Sequence, residues 1–401
     1  MPRTGLAVIL TLAVLGLLRA ADEGAVIDSM EQIRFKGPPD KGKLELVEGK
    51  VGKAIQFTFP DKCQNVFFTS NTRGTPAWDE AAGFSFWVKG NGSDHFGGLQ
   101  FIYDDDFAVR YDYMFPIKSK EWSKVTVAWR DLVPALPGPK ARLLDPAVGN
   151  KPSKISALWV GKWWYWRDYA GHAFALDELR LEKTIDLDRN DYKPAGAPLA
   201  RTLAKLKAGK PITIVTMGDS LTDTQHWANR QVNWPALFQK QLKDKYKSEV
   251  TIINPAIGGT QLRQNLVLMP RWLDKTPEPD LVTVCFGGND WESGMRGPQF
   301  LETCQDAADR IRRATKGKSD VLLLSSVPSV ADWTTRTELA ESCRKAARDR
   351  NAGLADVEKA FLTEGKENKE RLYCSDKVHL GAPGHELLAR IVREAIEAAG
   401  Q

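Results

Sequence analysis

Residues 211–221 read PITIVTMGDSL, an apolar stretch that ends in a Gly-Asp-Ser turn. The segment 212–217 is uncharged and rich in β-branched residues, which is typical of a buried strand. Gly218 and Asp219 supply the turn, and Ser220 follows it. A serine at a strand-to-helix turn exposes its hydroxyl and points its own backbone N–H into the same site. The stretch therefore predicts a strand with a chemically available serine at its carboxyl end.

The alternation of apolar strands and amphipathic helices continues to the end of the chain. The predicted strands are 212–217, 250–254, 281–286, 321–327 and, more weakly, 353–357, and the main helices are 234–246, 298–314, 337–351 and 382–399. Such βα units predict an α/β domain with a doubly wound parallel sheet. In that architecture, sites form outside the carboxyl ends of the strands.

Four segments at such positions carry groups suited to acyl transfer. They contribute Ser220, the Gly258-Gly259 pair, Asn289, and finally Asp376 with His379 just before the last helix. His379 can take the proton of Ser220 while Asp376 orients the imidazole. The N–H groups of Ser220 and Gly259 and the amide of Asn289 can donate to an oxyanion. Taken alone, each residue could instead have a purely structural role, for example in a helix cap or a turn.

These blocks, in this order, resemble those of the SGNH hydrolases, also called the GDSL esterase and lipase family. The resemblance covers about the last 190 residues and departs from the family's pattern at no catalytic position. It implies a flavodoxin-like fold, a triad of Ser220, Asp376 and His379, and an oxyanion hole of Ser220, Gly259 and Asn289. Asp219 and Asp290 are implied to be supporting residues. No cofactor is implied.

Two further histidines lie in this region. His385 falls inside the last predicted helix and is expected to be structural. His226 follows Ser220 by six residues, so it is either a substrate contact or a structural residue.

Residues 22–186 predict a separate all-β domain. Short runs rich in β-branched and aromatic residues alternate with Gly, Pro, Asn and Asp clusters, as in a jelly-roll sandwich. The segments 122–132, 155–161 and 174–181 resemble galactose-binding-like domains, which occur as carbohydrate-binding modules and CIA30-type domains. Residues 187–210 are predicted to be a linker, and 211–401 the hydrolase-like domain.

The aromatic run Trp163, Trp164, Tyr165 and Trp166 is the candidate carbohydrate-binding segment of the β-domain. If extended, it places alternate rings on opposite sides, so that one pair could stack on a sugar. The alternative is that all four rings pack inside the protein. Asp104, Asp105 and Asp106 form either a calcium site or a solvated acidic turn.

Residues 1–21 predict an export signal. Arg3 is positive, residues 6–18 (LAVILTLAVLGLL) are apolar or small, and Ala20 is suited to cleavage. The apolar run is shorter than the ~20 residues of a spanning helix, which leaves a membrane anchor as the lesser alternative. The protein is therefore expected to be secreted or periplasmic, without stable membrane insertion.

The overall composition limits the classes of partner and ligand that we expect. Lys+Arg and Asp+Glu number 56 and 51, a net charge of +5, which does not indicate a nucleic-acid-binding protein. Five cysteines show no C-x-x-C spacing, and their pairing is left open. No His or Cys pair has zinc-ligand spacing, so no metal site is predicted.

The favoured function is an exported esterase that removes acyl groups, acetyl being the first choice, from a carbohydrate. A lipase, lysophospholipase or thioesterase acting on another small ester is the alternative within the same enzyme class. A glycan-binding protein with an inactive hydrolase domain is the alternative from another class, although the intact triad residues argue against it. Acyl transfer to a sugar hydroxyl instead of water also remains open.

Overall fold

The computed structural model describes residues 24–37, 42–138 and 140–399. The predicted export signal, 1–21, lies outside these residues. The chain divides into two compact units, the first within Met1–Pro134 and Arg142–Leu187, the second within Ala135–Ala141 and Asp188–Gln401. Among the described residues, no helix has the length and apolar character that crossing a bilayer requires.

The first unit contains two antiparallel sheets and one short α-helix, α1 (Pro76–Glu80). One sheet has the order β2-β3-β11-β5-β8 with β1 paired to β11, and the other has the order β4-β10-β6-β7-β9. The strands are β1 (Val26–Asp28), β2 (Lys43–Glu48), β3 (Lys53–Phe59), β4 (Asn65–Thr69), β5 (Gly83–Gly90), β6 (Phe96–Tyr103), β7 (Asp106–Pro116), β8 (Ser123–Ala128), β9 (Val133–Pro134), β10 (Ile155–Lys162) and β11 (His172–Glu182).

Aromatic rings from the two sheets pack against each other. Phe84 of β5 lies edge-to-face on Phe101 of β6, with ring centroids 5.2 Å apart. Phe86 of β5 and Phe115 of β7 make the same contact at 5.1 Å. All four rings are buried. The alternate side chains of neighbouring strands therefore build one aromatic core between the sheets.

The aromatic segment 163–166 differs from the extended conformation considered above. Trp164–Trp166 is a 3₁₀ turn, and Arg167 after it has φ 50°. Trp163, Tyr165 and Trp166 are buried, while Trp164 is 50% exposed. Three of the four candidate carbohydrate-binding rings therefore belong to the core, because the turn breaks the alternation of sides on which the stacking surface depended.

The buried rings of this segment are fixed by polar contacts and close packing. The indole N–H of Trp163 donates to Gln100 Oε1 at 3.1 Å, and the Tyr165 hydroxyl donates to Asp112. A Cβ at position 98 would lie 2.1 Å from the Trp163 ring, so Gly98 is needed for the rings to fit. The acidic run 104–106 connects β6 to β7, and Asp105 pairs with Arg73 at 3.1 Å.

The second unit is built on a five-stranded parallel sheet, which confirms the parallel sheet predicted for this region. Its order is β13-β12-β14-β15-β16, the 2-1-3-4-5 order of flavodoxin-like folds. The strands are β12 (Ile212–Gly218), β13 (Val250–Ile253), β14 (Leu281–Cys285), β15 (Asp320–Leu324) and β16 (Gly353–Ala355). All residues of β14 and β15 are buried, which agrees with their mainly apolar sequences.

Helices connect these strands. They are α2 (Ala200–Lys207), α3 (Trp234–Tyr246), α4 (Leu262–Val267), α5 (Pro270–Leu273), α6 (Gly288–Glu292), α7 (Gly297–Ala314), α8 (Thr337–Arg350), α9 (Val357–Glu364) and α10 (Ala382–Ala398). α3 shows why the boundaries were predictable. Asn233 caps it by accepting from the Ala236 N–H at 2.9 Å, and Pro235 lies in its first turn.

The segment predicted as a linker, 187–210, is only partly a connection. Its last part forms α2, whose Leu203 and Leu206 are buried in the core of the second unit. Asp320 accepts hydrogen bonds from the backbone N–H and the hydroxyl of Thr202, at 2.9 and 2.8 Å. These apolar and polar contacts make α2 part of the α/β unit.

The second unit also includes the short segment Ala135–Ala141, which lies inside the range predicted as the β-domain. The buried guanidinium of Arg263 donates to the carbonyls of Leu136 at 3.3 Å and Ala141 at 2.9 Å. The predicted range 22–186 is therefore interrupted, because a buried cation uses these carbonyls as acceptors.

None of the five cysteines, all of which the structure describes, forms a disulfide bond, and Cys285, Cys304 and Cys343 are buried. The thiols of Cys304 on α7 and Cys343 on α8 are hydrogen-bonding neighbours, and this contact, together with burial, raises the pKa of Cys304.

Candidate active site

Ser220, His379 and Asp376 form one hydrogen-bonded chain. Ser220 Oγ lies 3.0 Å from His379 Nε2, and His379 Nδ1 lies 2.6 Å from Asp376 Oδ2. With the Nδ1 proton donated to the carboxylate, Nε2 is free to accept the serine proton. The structure thus brings together the three residues that the sequence predicted as a triad.

The loop before α10 fixes the histidine. Asp376 Oδ1 accepts the N–H groups of Val378 and His379, at 3.1 and 3.0 Å. Lys377 adopts φ 61°, and the Cys374 N–H donates to the His379 carbonyl at 2.7 Å. Burial alone would raise the pKa of Asp376, but the hydrogen bonds from His379 and Val378 outweigh it and lower the pKa. Asp376 is thereby held as a carboxylate that faces the imidazole.

The turn after β12 presents the serine. Asp219 Oδ1 accepts the Leu221 N–H at 3.0 Å, and its carbonyl accepts the N–H groups of Thr222 and Asp223. A Cβ on Gly218 would lie 2.2 Å from the Thr222 hydroxyl, so the turn requires glycine there. Asp219 is buried, and burial raises its pKa to about 6. These contacts support the predicted role of Asp219 in ordering the turn.

The loop after β13 contacts α6, and each of the two carries one residue that the sequence predicted for an oxyanion hole. Gly259 has φ +79°, a conformation that favours glycine. Asn289 Nδ2 donates to the carbonyl of Thr260, the next residue, at 2.9 Å. This bond uses one of the two N–H groups of the amide, which leaves the second available for a ligand. Gly259 and Asn289 therefore adjoin each other although they come from separate blocks.

Asp290 holds the start of α4, which follows this loop. It is fully buried, and its Oδ1 accepts the Leu262 N–H at the start of α4, at 3.1 Å. Oδ2 has no hydrogen-bond partner among the described residues. Burial raises the pKa of Asp290 to about 7, and the charge of Asp219 contributes to the rise.

Sequence reasoning missed two residues that organise the site. Asp223 is buried, and its Oδ2 accepts the Gly258 N–H at 2.9 Å while its Oδ1 accepts the Gln225 N–H at 2.9 Å. Asn229 donates to the carbonyls of Ser220 and Asp223, at 2.6 and 2.8 Å. Asp223 reaches Gly258 in a different loop, and Asn229 reaches back to the turn that carries Ser220, so no regular helix or strand spacing identifies either residue.

Two aromatic residues border His379. The His226 ring stacks on His379, with centroids 4.3 Å apart and planes 29° apart. Trp227 meets His379 edge-on at 5.6 Å and is 54% exposed. His226 is therefore a neighbour of the His379 imidazole, and Trp227 presents an exposed aromatic ring beside it.

His385 occupies a structural position. It is buried in α10, and its Nδ1 accepts the Trp234 N–H at 3.3 Å, at the start of α3. Burial lowers the pKa of His385 to about 4, so the ring is neutral near pH 7.

Comparisons with known proteins found a matching family and several similar proteins. Residues 216–387 match the model of a family described as GDSL-like lipase/acylhydrolase. The protein named thioesterase 1/protease 1/lysophospholipase L1 from Escherichia coli strain K12 is 31% identical over 122 residues, which are 30% of this chain and 54% of that protein. The chain thus spans about half the length of the curated relatives it matches.

Some solved structures are also similar to this chain. An acetylxylan esterase from Geobacillus stearothermophilus is 20% identical, and the match covers 47% of this chain and 96% of that one with a TM-score of 0.40. A lipase/acylhydrolase from Enterococcus faecalis is 22% identical, with coverage of 47% and 96% and a TM-score of 0.39.

The family match places a GDSL-type lipase/acylhydrolase domain in the C-terminal region. Together with the curated relative, it supports an ester-bond hydrolase.

Proposed function

We propose that this protein is a serine esterase that forms an acyl-enzyme on Ser220. The observation that supports it is the chain from Ser220 Oγ to His379 Nε2 at 3.0 Å and from His379 Nδ1 to Asp376 at 2.6 Å. This arrangement couples a nucleophile to a base and the base to a carboxylate, as acyl transfer by serine requires.

In the first half-reaction, Ser220 Oγ attacks the ester carbonyl carbon while His379 Nε2 takes its proton. The oxyanion of the tetrahedral intermediate accepts from the N–H groups of Ser220 and Gly259 and from Asn289 Nδ2. Each such donor is typically worth ~3–4 kcal/mol of barrier. The C–O bond to the alcohol then breaks, and the alcohol leaves with the proton from His379.

In the second half-reaction, water attacks the acyl-enzyme. His379 takes a proton from the water, the same donors bind the second oxyanion, and the acid is released as Ser220 Oγ regains its proton. If a sugar hydroxyl replaces the water, the same steps transfer the acyl group.

We propose a small acyl ester of a carbohydrate, with acetyl as the acyl group, as the substrate. The alcohol leaves toward His379, because His379 gives it the proton. Trp227 lies beside that ring and is about half exposed, so a departing sugar can stack on the indole. The proposal places the enzyme outside the cytoplasm, in keeping with the predicted export signal. Trp164 is the one exposed ring of the segment proposed to bind carbohydrate in the first unit.

A thioester or lysophospholipid substrate is the second candidate, favoured by the name and the 31% identity of the Escherichia coli relative. The deciding experiment measures kcat/KM on p-nitrophenyl esters from acetate to palmitate, on acetylated xylan and on acyl-CoA, with Ser220→Ala as the blank. The carbohydrate proposal predicts preference for acetate and release of acetate from xylan. Preference for long chains without acetate release from xylan would overturn it.

The role of Trp227 has its own test. Trp227→Ala should lower kcat/KM on a soluble acetylated xylo-oligosaccharide by about 5- to 10-fold, since a stacked ring contributes roughly 1 kcal/mol beyond its buried area. Activity on ethyl acetate, which has no ring to stack, should change little. Trp164→Ala is the matched control, because it removes an exposed indole of the other unit. Equal losses on both esters would show that Trp227 positions His379 rather than the sugar.

A further inference from the structure

The first unit gathers His95, Asp168 and His172 from separate segments. His95 directly precedes β6, Asp168 follows the 3₁₀ turn, and His172 begins β11. One ligating atom from each residue lies within 4.8 Å of the other two. His95 Nδ1 and Asp168 Oδ1 are 3.0 Å apart. The sequence predicted no metal site because no local spacing suggested one, whereas these ligands converge only in the fold.

The tautomer of His172 follows from its surroundings. Its Nδ1 lies 3.2 Å from the Ala170 carbonyl. A carbonyl only accepts, so Nδ1 carries the proton and Nε2 carries a lone pair. The residue is 4% exposed, and Nε2 has no hydrogen-bond partner among the described residues. A backbone carbonyl that fixes the imidazole in this way is typical of a metal ligand.

Packing holds this lone pair in place. The His172 ring lies 5.4 Å from Phe59 and 6.3 Å from Phe174, both of them buried. The His95 ring lies over His172 at 5.5 Å, with planes 23° apart. The His95 side chain is 31% exposed and that of Asp168 13%, so an ion can enter from the His95 side.

Nearby charges act in both directions. Lys162 Nζ donates to the Ala170 carbonyl at 2.8 Å, and its positive charge opposes a cation. The carboxylates of Asp168 and Asp61 offset part of that positive charge. The imidazole binds metals in its neutral form, and the contact of Nδ1 with the Ala170 carbonyl leaves the Nε2 lone pair of His172 for the ion.

We propose that His95, Asp168 and His172 bind one divalent transition-metal ion of the Zn²⁺ class. Two imidazoles and one carboxylate suit such ions, whereas Ca²⁺ and Mg²⁺ prefer all-oxygen sites. The ion takes His172 Nε2 and Asp168, and it replaces the proton between Asp168 and His95 Nδ1. Three protein ligands leave a coordination position open to water or an oxygen ligand.

The ligand atoms, which lie within 4.8 Å of one another, must reach the spacing of a tetrahedral site. Ligand bonds of about 2.0–2.2 Å in a tetrahedral site place the ligand atoms roughly 3.3–3.6 Å apart. The 3.0 Å between His95 and Asp168 is already close to this range. His172 is held by packing, so the partly exposed His95 and Asp168 move toward it.

The test is calorimetric titration of Zn²⁺ into chelator-treated full-length protein. The proposal predicts one Zn²⁺ per chain that survives His379→Ala, a control that removes capture of Zn²⁺ by the neighbouring rings of His226 and His379. His95→Ala and Asp168→Asn should each weaken binding by at least about 10-fold. His172→Gln should also weaken binding by at least about 10-fold. If this change of a buried residue prevents folding, His95→Ala decides the outcome, because His95 is partly exposed.

A second readout reports the ligands directly. Co²⁺ should give visible absorption bands of nitrogen coordination that disappear in His95→Ala, and Zn²⁺ but not Ca²⁺ should raise the Tm of the wild type. Binding that is unchanged in His95→Ala and Asp168→Asn would overturn the proposal. Binding lost only in His379→Ala would also overturn it, because the ion would then belong to the active site.

Discussion

Asp223→Asn tests whether a buried carboxylate holds the oxyanion loop. Both carboxylate oxygens of Asp223 accept backbone N–H groups, from Gln225 and from Gly258, each at 2.9 Å. Asparagine has the same shape but only one acceptor oxygen, and its amide donates. One of the two N–H groups therefore loses its acceptor and faces another donor. If this is Gly258, the following N–H, that of Gly259, loses its fixed position.

The expected loss follows from these contacts. A hydrogen bond to a charged acceptor is worth about 1.5–3 kcal/mol, and the whole effect on catalysis is bounded by the ~10²–10³-fold loss of one oxyanion donor. We therefore expect kcat to fall by about 10- to 100-fold. KM should change little, because the donor acts on the charge that develops in the transition state.

The assay is steady-state hydrolysis of p-nitrophenyl acetate, with Tm measured on the same samples. Asp244→Asn is the matched control, since the Asp244 side chain is 63% exposed and pairs with Lys240 on the surface of α3. It should leave both kcat and Tm unchanged. A kcat for Asp223→Asn within about twofold of wild type would refute the positioning role. A rise in KM alone would assign Asp223 to ground-state binding.

Three further outcomes are expected. Ser220→Ala should lower kcat by several orders of magnitude with unchanged circular dichroism, since only binding and the oxyanion donors remain, and near-native turnover would identify another nucleophile. Asn289→Ala should lower kcat by ~10²–10³ with a smaller change in KM, whereas an effect on KM alone would contradict an oxyanion role. Folding raises the pKa of Asp290 from 3.8 to about 7, so between these pH values the folded protein keeps a proton that the unfolded chain has lost. The free energy of unfolding therefore falls as the pH rises through this window. The Tm of Asp290→Asn minus that of wild type should therefore rise across this window, and a constant difference would show that Asp290 does not titrate there.

The α/β unit was largely predictable because its signals are local. Helix α3 runs over Trp234–Tyr246, the range that its periodicity predicted. The sheet places Ser220, after β12, and Asn289, after β14, at the carboxyl ends of adjacent strands. Parallel topology therefore converts the order of motifs along the chain into proximity in space.

The residues that sequence reasoning missed act over long range. Asp223 is important because its carboxylate reaches the N–H of Gly258 in a different loop. The side chains of His95 and His172 meet through sheet packing. A pattern of two- or four-residue spacing contains no information on such contacts.

The most direct test of the central claim is to trap the acyl-enzyme step. Full-length protein is treated with a fluorophosphonate that reacts with activated serines, and the adduct is located by peptide mass spectrometry. The account predicts a single adduct on Ser220, absent in Ser220→Ala and formed far more slowly in His379→Ala, because His379 activates the hydroxyl. An adduct on another serine, or labelling of Ser220 at the same rate without His379, would contradict it.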